Sequence, residues 1–209
     1  LETGRRVRRL TFDGIIAMSS PTWSPTGDRL AFSGARRSGS TDLFVVDLES
    51  DRLTALTDDL YHDRDPHWHP TQDRLVFSSD RAEHGRHGTY SLFVSDLQPG
   101  SVRQITWGAD SDLQPAWSPA GERLAFATDR SGFYDIFVLD VRGDTLSAPR
   151  RATRILTAAF DPVWLPEGED VLFTGFEATR FQIYRGSLQV DSTATGGDTQ
   201  VAAAPEGAW

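Results

Sequence analysis

The sequence predicts an all-β fold, a β-propeller of four-stranded antiparallel blades, on three observations. Tryptophan recurs in one local pattern at Trp23, Trp68, Trp117 and Trp164, 45, 49 and 47 residues apart, a period at which internal repeats mean propeller blades or solenoid units. Each is preceded by a short β-rich run ending in threonine, at Thr11, Thr57, Thr106 and Thr153, with Thr-to-Trp spacings of 12, 11, 11 and 11 residues. Three strand-like segments follow in each copy; with the Thr-ended run they make a unit of four, and four-stranded sheets repeated radially make a propeller.

The third copy shows the elements most plainly. Pro115-Ala116-Trp117-Ser118 is a short extended run, and Pro119-Ala120-Gly121 is a tight turn, because proline pre-sets φ and glycine tolerates positive φ. Arg123 to Thr128 alternates as a half-buried strand does, Asp129-Arg130-Ser131-Gly132 supplies a second turn, and Tyr134 to Leu139 is rich in β-formers. The first copy reads Pro21-Thr22-Trp23-Ser24-Pro25 to Phe32, then Asp42 to Leu48. The second runs from Pro66-His67-Trp68-His69-Pro70 through Arg74 to Phe77 and Leu92 to Leu97. The fourth has Pro162-Val163-Trp164-Leu165-Pro166, Asp170 to Phe173 and Phe181 to Tyr184. Arg8 to Thr11, Leu53 to Thr57, Arg103 to Thr106 and Arg150 to Thr153 are the Thr-ended strands.

These motifs, W-S-P-x-G-x-R-L-A-F, D-R-x-G-x-x-D-I-F-V-x-D and R-x-[LI]-T, resemble the repeat of TolB-like β-propeller proteins, also found in the propeller domains of prolyl oligopeptidase and tricorn proteases. The resemblance covers roughly residues 5 to 190. The copies differ: the second has His69 in place of Ser and Gln72 in place of Gly, and the fourth has Leu165 and lacks the Asp-Arg turn. The resemblance implies a fold strongly and an activity weakly, since such folds host many activities. It implies a noncatalytic scaffold that binds a protein or peptide, in a periplasmic or otherwise extracytoplasmic compartment. The alternatives it leaves open are a substrate-gating domain of a larger peptidase or hydrolase and a metal-dependent propeller lyase.

Composition bounds the function. With 38% apolar and 11% aromatic residues the chain can bury a core, and no apolar run approaches the roughly 18 residues of a membrane helix. There is no cysteine, so no disulfide and no thiol chemistry. All 21 basic residues are arginine, and the net charge of −9 argues against nonspecific binding to nucleic acid or anionic lipid. No G-x-S-x-G elbow, H-E-x-x-H or Gly-rich phosphate loop occurs; no catalytic residue is assigned, and no cofactor is expected beyond a metal at the histidines below.

Residues 1–190 read as propeller blades and 191–209 as linker or a weakly structured tail, because Asp191 to Asp198 has linker composition. Arg6 to Thr11 reads as the last strand of a blade whose first three strands are absent. That strand either completes the fourth blade of a small closed ring, or the blades belong to a larger propeller; TolB-like rings usually have six or more. The second arrangement is adopted here, and it places exposed sheet flanks at the ends of the array, with other domains of the same parent chain as candidate partners.

Strand direction sorts the loops. The loop leading into each Trp strand and the loop between second and third strands emerge on one face; the repetitive Pro-Gly turns emerge on the other. Function is expected on the first, variable face, since binding residues concentrate on loops held by a rigid scaffold. Its partner-binding candidates are Trp107, which no other copy matches, and Arg64, Arg81, Arg86, Arg130, Arg154 and Arg180, bidentate donors for an acidic or C-terminal carboxylate peptide. Trp23, Trp68, Trp117 and Trp164 are expected to pack blade against blade. The five histidines all fall in the second copy, at His62, His67, His69, His84 and His87, and histidine clusters with carboxylates can bind Zn²⁺ or other divalent metals.

Overall fold

In a computed structural model of the chain, residues 9–82, 88–143, 145–155, 157–177 and 179–187 are described. Among them are strands only, and no helix is present to cross a membrane. The first blade pairs β1 (Ile15–Trp23), β2 (Arg29–Arg36), β3 (Thr41–Asp47) and β4 (Leu53–Ala55) in that order. The second pairs β5 (Asp63–Trp68), β6 (Leu75–Ser79), β7 (Ser91–Ser95) and β8 (Val102–Gln104). In the third, β9 (Asp112–Trp117), β10 (Arg123–Thr128) and β11 (Asp135–Arg142) are followed by β12 (Thr145–Leu146) and β13 (Arg150–Arg151), both paired to β11. β14 (Ala159–Trp164), β15 (Asp170–Glu177) and β16 (Arg180–Ser187) make a fourth sheet of three strands. Within each blade neighbouring strands are antiparallel, and the Trp-bearing strands β1, β5, β9 and β14 pack on one another in sequence as the innermost strands.

The blades are held together by the repeated tryptophan. Trp68 lies among Ala31, Leu43, Val45 and Leu56 of the first blade, and Trp117 among Val76, Leu92, Val94 and Ile105 of the second. Trp164 lies among Ala125, Ala127, Ile136 and Val138 of the third, where its indole N–H donates to the Ala116 carbonyl at 2.9 Å. The arginine of the preceding blade's turn covers two of these rings from outside: Arg29 stands 5.1 Å over Trp68 and Arg123 stands 4.8 Å over Trp164. Trp117 is met instead by the edge of His69 at 4.7 Å.

Trp23 departs from the expectation of blade-to-blade packing: it is 61% exposed. Its ring points to the side on which the other three find a preceding blade, and no such blade stands there among the described residues. At the opposite flank Ile183, at the repeat position of the fully buried Leu43, Leu92 and Ile136, is 78% exposed. The Arg6–Thr11 strand is also modified. Its described part, from Arg9, forms no strand, yet Leu10 and Phe12 cover Phe32 and Phe44 as Leu56 and Ile105 cover the next two boundaries. A strand needs a paired neighbour, and here only the apolar contact is satisfied.

Side chains finish what the backbone ladder leaves open. Where each short outer strand ends, the repeated threonine turns inward: Thr57, Thr106 and Thr153 Oγ1 accept the amides of Leu43, Leu92 and Ile136 at 2.9, 2.8 and 2.9 Å. In the Pro-Gly turns Ser24 and Ser118 Oγ accept the amides of Arg29 and Arg123, both at 3.0 Å. In the second copy His69 caps the turn by other amides: its Nδ1 accepts from Thr71 and Gln72, and the Arg74 amide donates to the Gln72 carbonyl. Gly121 is fixed by two demands, a φ of 74° and a Cβ position only 2.5 Å from the His69 ring.

The burial difference predicts a stability difference. Trp117→Ala should cost ~3–5 kcal/mol in urea unfolding, whereas Trp23→Ala should cost about 0.5 kcal/mol or less, as an exposed site does. Equal losses would show that Trp23 is packed in solution.

Candidate functional site

The innermost strands carry a polar ladder along the propeller axis. One residue before each proline, Ser20, Asp65, Gln114 and Asp161 adopt φ of 50°, 54°, 52° and 52°, and the pairing register shifts at the same place in every blade. These are left-handed conformations in non-glycine residues, a local bulge that turns a polar side chain toward the next blade. Ser20 Oγ donates to Asp65 Oδ1 at 2.9 Å, and the carboxylate of Asp65 accepts the amide of Gln114. Gln114 Oε1 then accepts the amide of Asp161 at 3.0 Å while its Nε2 donates to Asp161 Oδ1. Burial raises the pKa of Asp65 above its ordinary 3.8, opposed by the Ser20 hydrogen bond and by the charge of Arg64. These residues were missed from the sequence, although a polar side chain three positions before each Trp was there to be read.

Beside the ladder, on the variable face, a cavity of about 370 Å³ is lined by Met18, Ser20, Thr41, Arg64, Asp65 and Gln114 among others. Arg64 is exposed and its guanidinium lies 4.8 Å over the Tyr90 ring. Leu60, Tyr61 and Phe133, from loops of the same face, are exposed, Leu60 by 89%. A larger open cleft, about 920 Å³, lies on the Pro-Gly face between the second and third blades. Several of its charged side chains are already engaged: Arg74 with Asp96, Arg123 with the Gly168 carbonyl, and Asp140 with Arg150.

The arginine candidates separate into groups. Arg64, Arg154 and Arg180 are exposed, and of these Arg64 alone lines the axial cavity. Arg81 and Arg130 need correction as partner-binding residues: both turn into their own blades. Arg81 pairs with the fully buried Asp63 at 2.5 Å and with Asp59 at 3.1 Å, over the Phe77 and Phe93 rings. Arg130 pairs with the buried Asp112 at 2.6 Å, over Phe126 and Phe137. Their neighbours Asp80 and Asp129 accept the amides of His62 and Ser111, each at 2.8 Å, so the Asp-Arg turn ties the outer hairpin to the start of the innermost strand. Arg86 lies outside the described residues. Trp107 is half-buried in the segment joining the second and third blades, at the position Asp58 holds one blade earlier.

Of the five histidines, the three described ones, His62, His67 and His69, do not converge. His67 and His69 are spent on backbone: His67 Nδ1 accepts the Trp117 amide at 3.3 Å, and His69 caps the turn. Burial lowers the pKa of both, which keeps them neutral acceptors. His62 is partly exposed at the opposite end of the same strand, and His84 and His87 lie outside the described residues. Among the described residues, no group of three convergent ligands contains a histidine.

Four consecutive antiparallel sheets joined at tryptophan boundaries around a polar axis define the class of a β-propeller. The model of the TolB beta propeller domain matches residues 1–114, and the chain belongs to that family. No curated protein sequence matches the chain. Solved structures share the fold. TolB from Acinetobacter baumannii is 21% identical with a TM-score of 0.69, over 85% of this chain and 42% of that one. A puromycin hydrolase is 16% identical with a TM-score of 0.64, over 85% and 28%. An oligogalacturonate lyase in complex with manganese is 12% identical with a TM-score of 0.59, over 85% and 66%. This chain thus spans less than half the length of the Acinetobacter protein.

Two variants separate structural from binding roles. Arg130→Ala strands Asp112 as a buried, uncompensated charge and should cost ~3–5 kcal/mol, which makes it unsuitable as a probe of binding. Asp65 acts in the other direction. Its folded pKa is raised, so the folded state holds the proton more tightly, and the carboxyl's contribution to stability falls as pH rises from 3.8 through the raised value. Asp65→Asn should remove that part of the decline, and urea midpoints measured between pH 4 and pH 7, about the window concerned, should show a flatter profile. An unchanged profile would place the decline elsewhere.

Proposed function

We propose that the chain is a noncatalytic protein-interaction module that takes a peptide or protein segment on its variable-loop face, outside the cytoplasm. The supporting observation is the axial cavity on that face, where exposed Arg64 stands beside Met18 and polar ladder groups, with exposed Leu60, Tyr61 and Phe133 on the surrounding loops. A guanidinium framed by apolar and aromatic surface suits a segment that offers a carboxylate together with apolar side chains. A rigid scaffold keeps the ordering cost of such binding low. The net charge of −9 repels a broadly acidic partner, so the segment this face favours carries its charge locally, as a chain-terminal carboxylate does. A substrate gate in a longer hydrolase would use the same face.

Fluorescence anisotropy with labelled peptides of apolar sequence, ending either in a free carboxylate or in an amide, tests this reading. The carboxylate series should bind better, and Arg64→Glu should weaken it about tenfold or more, the loss of one charge-assisted hydrogen-bonded pair. Trp107→Ala should weaken binding with no loss of selectivity between the two series. If substitutions in the Pro25–Gly27 or Pro119–Gly121 turns reduce binding while Arg64→Glu does not, the wrong face has been assigned.

A further inference from the structure

The boundary between the first and second blades carries three acids at repeat positions where each of the next two boundaries carries one. Asp42 begins the buried part of β3 in the first blade, Asp63 begins β5 in the second, and Asp59 sits on the segment that joins them. One carboxylate oxygen from each lies within 4.8 Å of the other two. Asp42 and Asp63 are fully buried, and Asp63 Oδ1 is buried without any hydrogen-bond partner, although Oδ2 of the same carboxylate is held by Arg81. A buried carboxylate oxygen left unpaired is costly, and its presence calls for a ligand.

Charge and repeat position point the same way. Asp42, Asp58, Asp59 and Asp63 face two guanidiniums, Arg36 on Asp42 and Asp58 and Arg81 on Asp59 and Asp63. Four negative charges against two positive leave an excess of two. At the next boundary Ser91, Gly108 and Asp112 stand at the same positions, and Asp112 is matched by Arg130, Thr106 and Thr128. At the third boundary the trio is Asp135, Ile155 and Ala159, with Asp135 held by Arg151, Ser131 and Thr153. The Asp59 amide donates to Asp42 at 3.2 Å as the Ile155 amide donates to Asp135 at 3.4 Å, so these are the same places in the repeat. The acidic trio is therefore an addition to the blade pattern rather than part of it.

We propose that Asp42, Asp59 and Asp63 bind one hard divalent cation of the calcium class, which fastens the first two blades to each other. Oxygen-only ligands suit Ca²⁺ rather than Zn²⁺. Oxygens up to 4.8 Å apart can share an ion at Ca–O distances of ~2.3–2.6 Å. The ion neutralises the excess charge and gives Asp63 Oδ1 its partner.

Calorimetric titration of the metal-free chain with Ca²⁺ tests the site, alongside Tb³⁺ luminescence excited through Tyr61, which stands two positions from both Asp59 and Asp63. One ion per chain should bind, and Ca²⁺ at about a hundredfold excess over its Kd should raise the thermal midpoint by ~5–10 °C. Asp59→Asn, at a partly exposed position, should abolish both the heat and the midpoint shift while the chain remains folded. Asp63→Asn should likewise abolish the heat and the midpoint shift. Glu49→Gln, at an exposed acid away from the site, should bind as the parent does. Flat heats with no luminescence in the parent chain overturn the proposal, and so does binding that survives Asp59→Asn unchanged.

Discussion

The indole that each blade sets against the one before it is the contact on which the rest of this structure depends. A four-stranded sheet buries neither of its faces alone, and stacking such sheets around an axis is what creates a core. Trp68, Trp117 and Trp164 each pack at a boundary, against aliphatic residues of the preceding blade's second and third strands. The same residue at Trp23 is exposed because its partner surface is lacking among the described residues. Its side chain and backbone setting match the other three; the neighbour alone differs, and the neighbour decides the burial.

Around that apolar contact the repeat spends its polar residues on strand ends. Threonine latches the third strand of each of the first three blades, serine or His69 caps the Pro-Gly turn, and buried Asp-Arg pairs lock the Asp-Arg hairpins to the innermost strands. Each satisfies a donor or acceptor that a short, twisted strand would otherwise leave open inside the core. This explains why His69 replaces a serine without disturbing the fold: its Nδ1 still caps the turn, through the Thr71 and Gln72 amides, and its ring packs on Trp117 where two other copies place an arginine over the indole.

Beyond these structural contacts, the two faces differ. The Pro-Gly face is a set of near copies whose charges largely neutralise one another. The variable face holds the axial cavity, exposed apolar loop residues, Arg64 and the acidic boundary. Regular backbone on one side and irregular loops on the other is how a propeller keeps a rigid frame beneath a surface that is free to differ from blade to blade.

The blade period, the four-stranded unit, the turn positions and the face that each loop occupies were legible in the sequence, because they follow from spacing and from local conformational preference. Residues whose role depends on a neighbour far along the chain were not. Arg81 and Arg130 read as surface donors, yet they fold inward because Asp63 and Asp112 wait buried eighteen positions earlier. Among the described histidines, neighbours in sequence serve different partners: His67 takes the Trp117 amide of the next blade's innermost strand, while His69 takes amides of its own turn. Asp42, Asp59 and Asp63 show the converse. Nothing in their spacing joins them, and they converge only because β3 of one blade packs beside β5 of the next. Local chemistry fixed what each blade is, while the packing of one blade on another decided which side chains meet, since that contact brings together residues the chain keeps apart.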